Sequence, residues 1–428
     1  ICGKTSQPVK KPVLPEGFKW FTIDKENYIS GGLQEEVIYR NFPVCKECFQ
    51  TIENGAKQVR LRLKFTFDRA ENISYYLIPH FLTTQQNDDK ESILKQIMGI
   101  SESNTALQDK QNIKNLLSEG NDEVVLDLLK EMDDILMVHF LFVVISQAQT
   151  AVKLHIPDIY PSRLHKLFEF KRMIDTAFEL KQFNFTYHKL YSFTRHKINT
   201  DTITFDERPF YTILYNTFKQ LPVDNDMLIS YFMRKIRSVA THPLDSFISD
   251  VKNTILDAHA CYLFVLLSTG KEVKMEAKRI ENYSSLQEFA DSLGFDTDLK
   301  KGLFFLGAVV GRVLYAQQDE NGSMPFMKKL KGFKMNEKDI KGLIGEAINK
   351  LTEYDRLDGY ERDLISLASG YLARVPEPWN ISIDELNFYV ALGVGHTFVY
   401  GTPLNSLYFN LQESKKQKQN TEQQKAEQ

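Results

Sequence analysis

Catalytic motifs, membrane-spanning runs and a secretory signal are missing from this sequence of 428 residues. It has no HExxH motif and its nine histidines are scattered, so we do not predict a hydrolytic zinc site. The longest apolar run, residues 135–145, is too short to cross a bilayer and is predicted to belong to a buried helix. We therefore expect a non-enzymatic intracellular protein, and the initial Ile1 suggests a fragment or a processed form.

Cysteine and net positive charge are both scarce. Four cysteines in so long a chain exclude a disulfide scaffold of the kind found in small secreted domains. The net charge of −3 argues against a protein coated in positive charge. Local basic grooves remain possible, because nucleic acid responds to the local potential. The content of 43% hydrophobic residues is ordinary for a globular protein, and the length suits two or three domains.

The hydrophobic patterns predict a mainly α-helical protein with a small β and zinc-knuckle region near the N-terminus and a C-terminal helical bundle. Residues 58–67 alternate between apolar and polar side chains, which predicts a half-buried strand, and residues 73–81 predict its partner. From about Lys90 the period becomes helical. The helices predicted after that point cover residues 121–146, 158–179, 210–220, 226–240 and 243–267.

The C-terminal region carries clear helix boundaries. Ser285 and Ser382 each stand three residues before a glutamate, which is the spacing of a capping box, and Asn336 is a further candidate N-cap. Gly307 and Gly311 lie four residues apart on an apolar helix, so a second helix can approach closely there. These signals predict domains at residues 1–89, 90–274 and 275–412, followed by a disordered tail at 413–428.

Cys45 and Cys48 have the CxxC spacing of half a zinc knuckle, in which two thiolates on a tight turn bind one tetrahedral ion. The predicted metal ligands are Cys2, Cys45 and Cys48, with zinc as a structural cofactor. Cys2 resembles the end of a second knuckle whose first cysteine would precede this chain. The alternative is a set of reduced thiols without metal. Cys261 lies in an apolar helix, where burial is the simpler expectation.

Three basic clusters provide the strongest functional signal, because lysine and arginine can neutralise phosphates. The densest contains six lysines around a predicted turn, and a second lies on a predicted helix without a nearby acid. The third is interleaved with Tyr187, Tyr191 and Phe193, a mixture suited to phosphates and stacked bases. Each cluster can equally be a solvated helix face. The predicted nucleic-acid contacts are Lys328, Lys329, Lys331, Lys334, Lys338, Lys341, Arg234, Lys235, Arg237, Lys189, Arg195 and Lys197.

Several segments spread over the chain resemble the large subunit of the subtype I-B CRISPR Cascade, an RNA-guided surveillance complex. The matching segments are CG near the start, FPVCKEC, YYLIPHF, LGAVVGRVLYAQ, PFMKKLKGFKMNEKDI and WNISIDELNFYVALG. Their order and spacing agree with the family, although none is as specific as a catalytic signature. Members of the family carry a further N-terminal domain, which we expect this chain to lack.

The resemblance implies a non-catalytic role in a prokaryotic cytoplasm. In such complexes the large subunit helps to recognise the motif beside the target, stabilises the opened DNA and helps to recruit a helicase–nuclease, while the guide RNA reads the sequence. The implied partners are the guide RNA, the backbone and small subunits, target DNA and that helicase–nuclease. The C-terminal bundle resembles the family's small subunit, which favours contacts to the DNA backbone from Lys328, Lys329, Lys331 and Lys334.

Met275 is a candidate internal start site. In the family a small subunit can arise by internal translation of the large-subunit gene. Residues 271–273, which read Lys-Glu-Val, can be encoded by an ideal bacterial ribosome-binding sequence ahead of Met275. The hypothesis is therefore a second product made of residues 275–428.

Two other functions fit the sequence. A nucleic-acid enzyme such as a nuclease would have its active site in the missing N-terminal part, and metal-dependent cleavage by the isolated chain would favour it. A zinc-dependent structural adaptor would make no contact with nucleic acid. A co-purified guide RNA would favour the surveillance-complex subunit.

Overall fold

The computed structural model of the chain describes residues 8–9, 43–82, 90–91, 93–95, 116–117, 129, 135–146, 149–178, 183–197, 205–240, 244–273, 275, 283–399 and 408. The tail predicted at residues 413–428 lies outside these residues. The chain divides into two compact units, of which the first is Ile1–Phe168 with Thr186–His188 and the second is Glu169–Phe185 with Lys189–Gln428. The predicted domain boundary before Met275 thus falls inside the second unit. None of the described helices is long and apolar enough to cross a membrane.

The first unit is built on a four-stranded antiparallel sheet in the order β1-β2-β3-β4. Its elements are helix α1 at Lys46–Arg62 and the strands β1 to β4 at Lys64–Asp68, Ile73–Phe81, Leu136–Ser146 and Gln149–Ile159. On one face of the sheet, Tyr76, Leu141 and Val143 are buried beneath Ala56 and Val59 of α1. The small β region expected near the N-terminus is therefore confirmed.

The strand predicted at residues 58–67 is wrong in its first half, because α1 continues to Arg62. Val59 packs on the sheet from the helix, whereas Leu61, which the alternation placed on the same side, is 63% exposed. Five alternating residues are too few to separate a strand from the end of an amphipathic helix. The second half forms β1, and the predicted partner strand at Ile73–Phe81 is confirmed.

The helix predicted at residues 121–146 is wrong over its second half, where Leu136–Ser146 forms β3. This strand lies between β2 and β4, and its successive residues Phe140 and Leu141 are both buried. A strand covered on both faces has a continuous apolar sequence, which periodicity cannot distinguish from a buried helix. The adjacent β-branched residues Val143 and Val144 were the signal that favoured a strand.

The second unit is mainly helical, and the helices predicted there are confirmed with bounds that differ by a few residues. In chain order they are α2 at Pro161–Ala177, α3 at Tyr187–Thr194, α4 at Arg208–Lys219, α5 at Asn225–Val239, α6 at Leu244–Ser268, α7 at Leu286–Ser292, α8 at Asp298–Asn321, α9 at Glu337–Glu353, α10 at Gly359–Leu372 and α11 at 383–399. Helices α2 and α3 contribute residues to both units. A two-residue ladder joins His196–Lys197 (β5) to Phe205–Asp206 (β6).

The predicted N-caps fix the starts of three of these helices. The Ser285 hydroxyl accepts a hydrogen bond from the Glu288 amide at the start of α7, and the Ser382 hydroxyl accepts one from the Glu385 amide at the start of α11. Asn336 forms a reciprocal capping box with Asp339 at the start of α9. These bonds satisfy amide groups that have no partner within the helix.

Helices α8 and α11 approach each other closely at glycine residues, as the spacing of Gly307 and Gly311 predicted. A Cβ atom placed on Gly307 would lie 2.1 Å from the carbonyl oxygen of Val390. On the opposite helix, a Cβ atom on Gly393 would lie 2.0 Å from the carbonyl oxygen of Phe304. The two backbones are therefore in direct contact, and a methyl group at either position requires them to separate.

A pair of buried histidines connects α6 to α11. His259 Nδ1 and His396 Nε2 are 2.9 Å apart, and His259 Nε2 is 3.1 Å from the carbonyl oxygen of Leu293. A carbonyl can only accept, so His259 carries its proton on Nε2 and accepts through Nδ1 from His396. An added proton on His259 Nδ1 would place two donors against each other, so the geometry favours the neutral pair.

We expect the second unit to lose stability in acid because of this pair. Desolvation lowers the pKa of His259 to about 3, and desolvation together with the neighbouring His259 lowers the pKa of His396 well below its usual range. The unfolded chain takes up protons below about pH 6.5, so the free energy of unfolding falls as the pH decreases from there towards about 3. Between pH 7 and pH 5 the protonation of His259 in the unfolded chain should remove about 2 kcal/mol, and His396 acts in the same direction. Urea denaturation at the two pH values measures the loss.

The control for this prediction is the exposed His165, since a H165Q variant should keep the pH dependence of the wild-type chain. The H259Q/H396Q variant should be less stable at pH 7, and its free energy of unfolding should change less with pH than that of the wild-type chain. An unchanged pH dependence in that double variant would contradict the assignment.

Candidate nucleic-acid interface

The lysine segment, residues 325–341, combines exposed lysines with buried apolar side chains. It begins as a short 3-10 helix at Pro325–Leu330 and ends in the first turns of α9. All six lysines predicted here as phosphate contacts are exposed. Five apolar residues of the segment are buried, namely Phe326, Leu330, Phe333, Met335 and Ile340. The apolar side chains thus attach the segment to the bundle while the ammonium groups remain in solvent.

Three successive residues at the centre of this segment have a left-handed backbone. The φ angles are 49° at Lys331, 62° at Gly332 and 57° at Phe333. Such a conformation costs a non-glycine residue about 1–2 kcal/mol, so the surroundings must hold it. The Phe333 ring is fully buried, and its amide donates to the Leu330 carbonyl at 2.7 Å. Backbone held in this way is frequent at ligand-binding sites.

Arg237, near the end of α5, fastens the centre of the lysine segment. Its Nε and Nη2 atoms donate to the carbonyl oxygen of Phe333 at 3.1 and 2.9 Å, and Nη2 also donates to Asp384 Oδ1 at 2.6 Å. Arg237 was predicted to contact nucleic acid. In this structure its guanidinium group is engaged by the protein, so its observed role is to position the segment.

Two buried amide side chains fasten the rest of the segment. Asn387 of α11 accepts from the Met335 amide at 3.0 Å and donates to the Met335 carbonyl at 2.8 Å. Gln317 of α8 accepts from the Phe326 amide at 2.9 Å. Asn387 and Gln317 are almost completely buried, where satisfied hydrogen bonds are strongly favoured. The lysines are therefore displayed on a preorganised backbone.

The lysines of the segment differ in their ionic partners. Lys331 contacts Asp339 at 2.6 Å, Lys329 contacts Glu346 at 3.0 Å, and Lys341 bridges two glutamates. The hydrogen bond from Lys331 lowers the pKa of Asp339. Lys328, Lys334 and Lys338 form no ion pair with any residue in the described part of the chain. The charge of Lys338 still helps to lower the pKa of Asp339, so the charges of Lys328 and Lys334 are the most available to phosphate. Exposed ion pairs are weak, so a phosphate can replace the carboxylate of a paired lysine.

The second basic cluster lies on α5, next to the lysine segment. Arg234 and Lys235 are exposed, and the Arg234 guanidinium lies 4.9 Å from the centroid of the Tyr231 ring. The hydrogen bonds from Arg237 to Phe333 bring the end of α5 against the centre of the segment. The structure thus brings two of the three predicted clusters together.

The third basic cluster differs from the sequence interpretation. Tyr187, Tyr191 and Phe193, which were expected to stack on bases, are all buried, so their rings are not accessible to a nucleic acid in this conformation. Lys189 forms an ion pair with Asp257 at 3.1 Å, and Arg195 lies over the Tyr191 ring at 5.5 Å. The aromatic periodicity belongs to the core of the protein. Lys197 lies on β5 opposite Phe205.

The CxxC pair forms the start of α1, where a turn had been predicted. Cys45 is the N-cap, and its Sγ accepts from the Cys48 amide at 3.5 Å. Both thiols are partly buried and neither is in a disulfide. The predicted third ligand, Cys2, lies outside the described residues. Cys261 is fully buried, as expected, and desolvation raises the pKa of its thiol well above the usual value.

Sequence reasoning missed the residues that hold the lysine segment in place. Gln317 and Asn387 stand among apolar residues on their helices, and a polar residue on an apolar helix face is the signal that marks them as buried amides. Arg237 was grouped with its basic neighbours because the sequence does not reveal its distant partners. In the sequence, the left-handed turn at residues 331–333 was indicated by a single residue, Gly332.

Two family models match the chain and together cover most of it. Residues 185–401 match the C-terminal domain of CRISPR-associated protein TM1802, and residues 1–159 match the central domain of the same protein. The lysine segment and α5 lie within the first match, and the four-stranded sheet lies within the second. A search of curated proteins gave no match.

Proposed function

The chain belongs to the CRISPR-associated TM1802 family, and on that premise we propose that it is the non-catalytic large subunit of a subtype I-B Cascade. In this role it helps to recognise the motif beside the target, stabilises opened DNA and helps to recruit a helicase–nuclease. The guide RNA reads the target sequence by base pairing. Along the opened DNA outside that motif, the protein therefore needs positioned positive charge rather than base-specific side chains.

The lysine segment is the observation that carries this proposal. It offers exposed ammonium groups, which recognise phosphate as point charges, on a backbone fastened by Arg237, Asn387 and Gln317. A preorganised surface loses little conformational entropy when it binds. In the proposal Lys328 and Lys334 contact the backbone of the opened DNA. Arg234 and Lys235, which are exposed on α5, are proposed as further contacts.

Native mass spectrometry of the complex purified from its own cells tests this function. The expected result is one assembly that contains this chain, a guide RNA and several copies of a backbone subunit. Recovery of the chain as a free protein without RNA, from cells that contain an assembled Cascade, would contradict the proposal.

Zinc bound by Cys2, Cys45 and Cys48 is a second part of the proposal. The Val9 amide donates to the Val44 carbonyl at 2.8 Å, so the chain seven residues after Cys2 is held beside the CxxC pair. Seven residues reach as far as about 23 Å, which is ample for Cys2 to approach the pair. The helix N-terminus also favours the thiolate form that zinc requires.

We also propose the internal product of residues 275–428 as the small subunit. In the chain described here α6 covers α11: Tyr262 and Tyr389 hydroxyls are 3.2 Å apart, and Ile255 packs against Gly395. A product that starts at Met275 lacks α6, so this face must be covered by another subunit. Synonymous recoding of residues 271–273 should abolish the product, and its persistence would refute the hypothesis.

A further inference from the structure

Three histidines share one face of the sheet in the first unit. His139 on β3 is opposite Ile78 on β2, so His80, two residues further along β2, lies on the same face. His155 on β4 is opposite Leu141, which places it on that face as well. The rings stack in a row, with centroids 5.7 Å apart for His80 and His139 and 5.6 Å apart for His139 and His155.

A β-bulge in β4 brings a carboxylate to this row. Ile156 is opposite Phe140 and Ile159 is opposite Val138. A step of three residues along β4 therefore matches a step of only two residues along β3. The extra residue leaves Asp158 with a left-handed φ of 54°. A bulge of this kind redirects a side chain to the other face of a strand. Asp158 Oδ1 consequently lies 3.8 Å from His139 Nε2.

We propose that His80, His139 and Asp158 bind one divalent transition-metal ion of the zinc type. One donor atom from each residue lies within 4.8 Å of the other two. Metal bonds of about 2.0–2.2 Å place the donor atoms of a tetrahedral site about 3.4 Å apart. Binding an ion therefore requires the distances between these donor atoms to shorten by about 1.4 Å at most. His80 and Asp158 are exposed and can make this movement, while the partly buried His139 provides the fixed ligand.

The donor set determines the class of metal and the form of the site. Two imidazoles and one carboxylate suit zinc, cobalt or nickel, whereas magnesium and calcium prefer oxygen ligands alone. Three protein ligands leave a fourth position for water or an oxygen donor. The three ligands come from β2, β3 and β4, so the ion links three strands at the same end of the sheet. This site is separate in sequence and in donor type from the cysteine site proposed above.

Metal titration of the full chain in a C45S/C48S background tests the proposal, because this background removes the CxxC thiolates. Calorimetry with Zn²⁺ should give one ion per chain. The Co²⁺ adduct should show ligand-field bands without a thiolate-to-cobalt charge-transfer band. Replacing partners in the outer shell of a metal site typically weakens binding 10–100-fold, so H80Q and D158N should each weaken it by more than about 100-fold.

The test variants and their control all change exposed side chains. Asparagine tolerates the left-handed backbone at position 158, so D158N should fold. H165Q replaces an exposed histidine on α2 and should bind Zn²⁺ as tightly as the background chain. A chain with C45S/C48S that binds no stoichiometric Zn²⁺ would overturn the proposal. Equal affinity in the H80Q, D158N and H165Q chains would overturn it as well.

Discussion

Replacement of Gly307 by alanine should strongly destabilise the second unit. The new Cβ atom would lie 2.1 Å from the Val390 carbonyl oxygen, and contacts under 3.0 Å are essentially never seen for real Cβ atoms. The clashing atom belongs to the backbone, so no side-chain rotation relieves it. Helix α8 must move away from α11, which disturbs the packing along their whole contact. Because overpacking of a core commonly costs about 1–3 kcal/mol, we expect about 3 kcal/mol or more here.

Gly345 on α9 provides the matched control for this experiment. A Cβ atom at Gly345 meets nothing within 4 Å, and alanine is favoured over glycine in a helix by about 1 kcal/mol. G345A should therefore stabilise the chain while G307A lowers the urea midpoint measured by circular dichroism. G311A should fall between them, because the three atoms nearest to its Cβ belong to the side chain of Thr397 and not to the backbone. Equal midpoints for G307A and G345A would contradict the close packing of the two helices.

The glycine spacing was predictable because it is a local property of one helix, but the partner helix was not. Val390 and Gly393 lie more than 80 residues from Gly307 along the chain. Nothing in the pattern of α11 identifies which helix it contacts. The caps at Ser285, Asn336 and Ser382 were predictable for the same local reason, since each bond joins residues three apart.

The errors in the first unit have a common physical origin. A hydrophobic pattern indicates which side chains are buried. It distinguishes a helix from a strand only when one face of the element is exposed to solvent. β3 is covered on both faces, so its pattern carries no period. α1 ends directly before β1, so the helix and the strand merged into one apparent alternation. In both segments, tertiary contacts determine whether the backbone forms a helix or a strand.

The lysine segment shows how far a candidate site can be derived from sequence. Exposure of its lysines followed from their density and from the apolar residues between them. Its rigidity depends on Arg237 and Asn387, which reach it across 96 and 52 residues of chain. The histidine and aspartate cluster is a further case, because only the strand register and a bulge bring His80 next to Asp158. Scattered histidines in a sequence therefore do not exclude a site.

Charge reversal of Lys328 and Lys334 should weaken target-DNA binding by the assembled complex at least about tenfold, or about 1.4 kcal/mol. Both ammonium groups are exposed, without an ion pair among the described residues, so reversal leaves the fold intact. Each lost phosphate contact removes about 0.9 from the salt slope on duplex DNA, or about 0.7 on a single strand. The K328E/K334E complex should therefore show a slope that is smaller by about 1.4–1.8.

K57E/K64E is the control that separates the lysine segment from net charge. It reverses two exposed lysines of the first unit and changes the total charge by the same amount. Arg237 is unsuitable for the test, because its replacement would release the Phe333 carbonyl and Asp384 and so disturb the segment itself. Fluorescence anisotropy with guide-loaded complexes at several salt concentrations measures both affinity and slope. If K328E/K334E and K57E/K64E bind alike, the lysine segment is not the DNA contact, whatever the assembly contains.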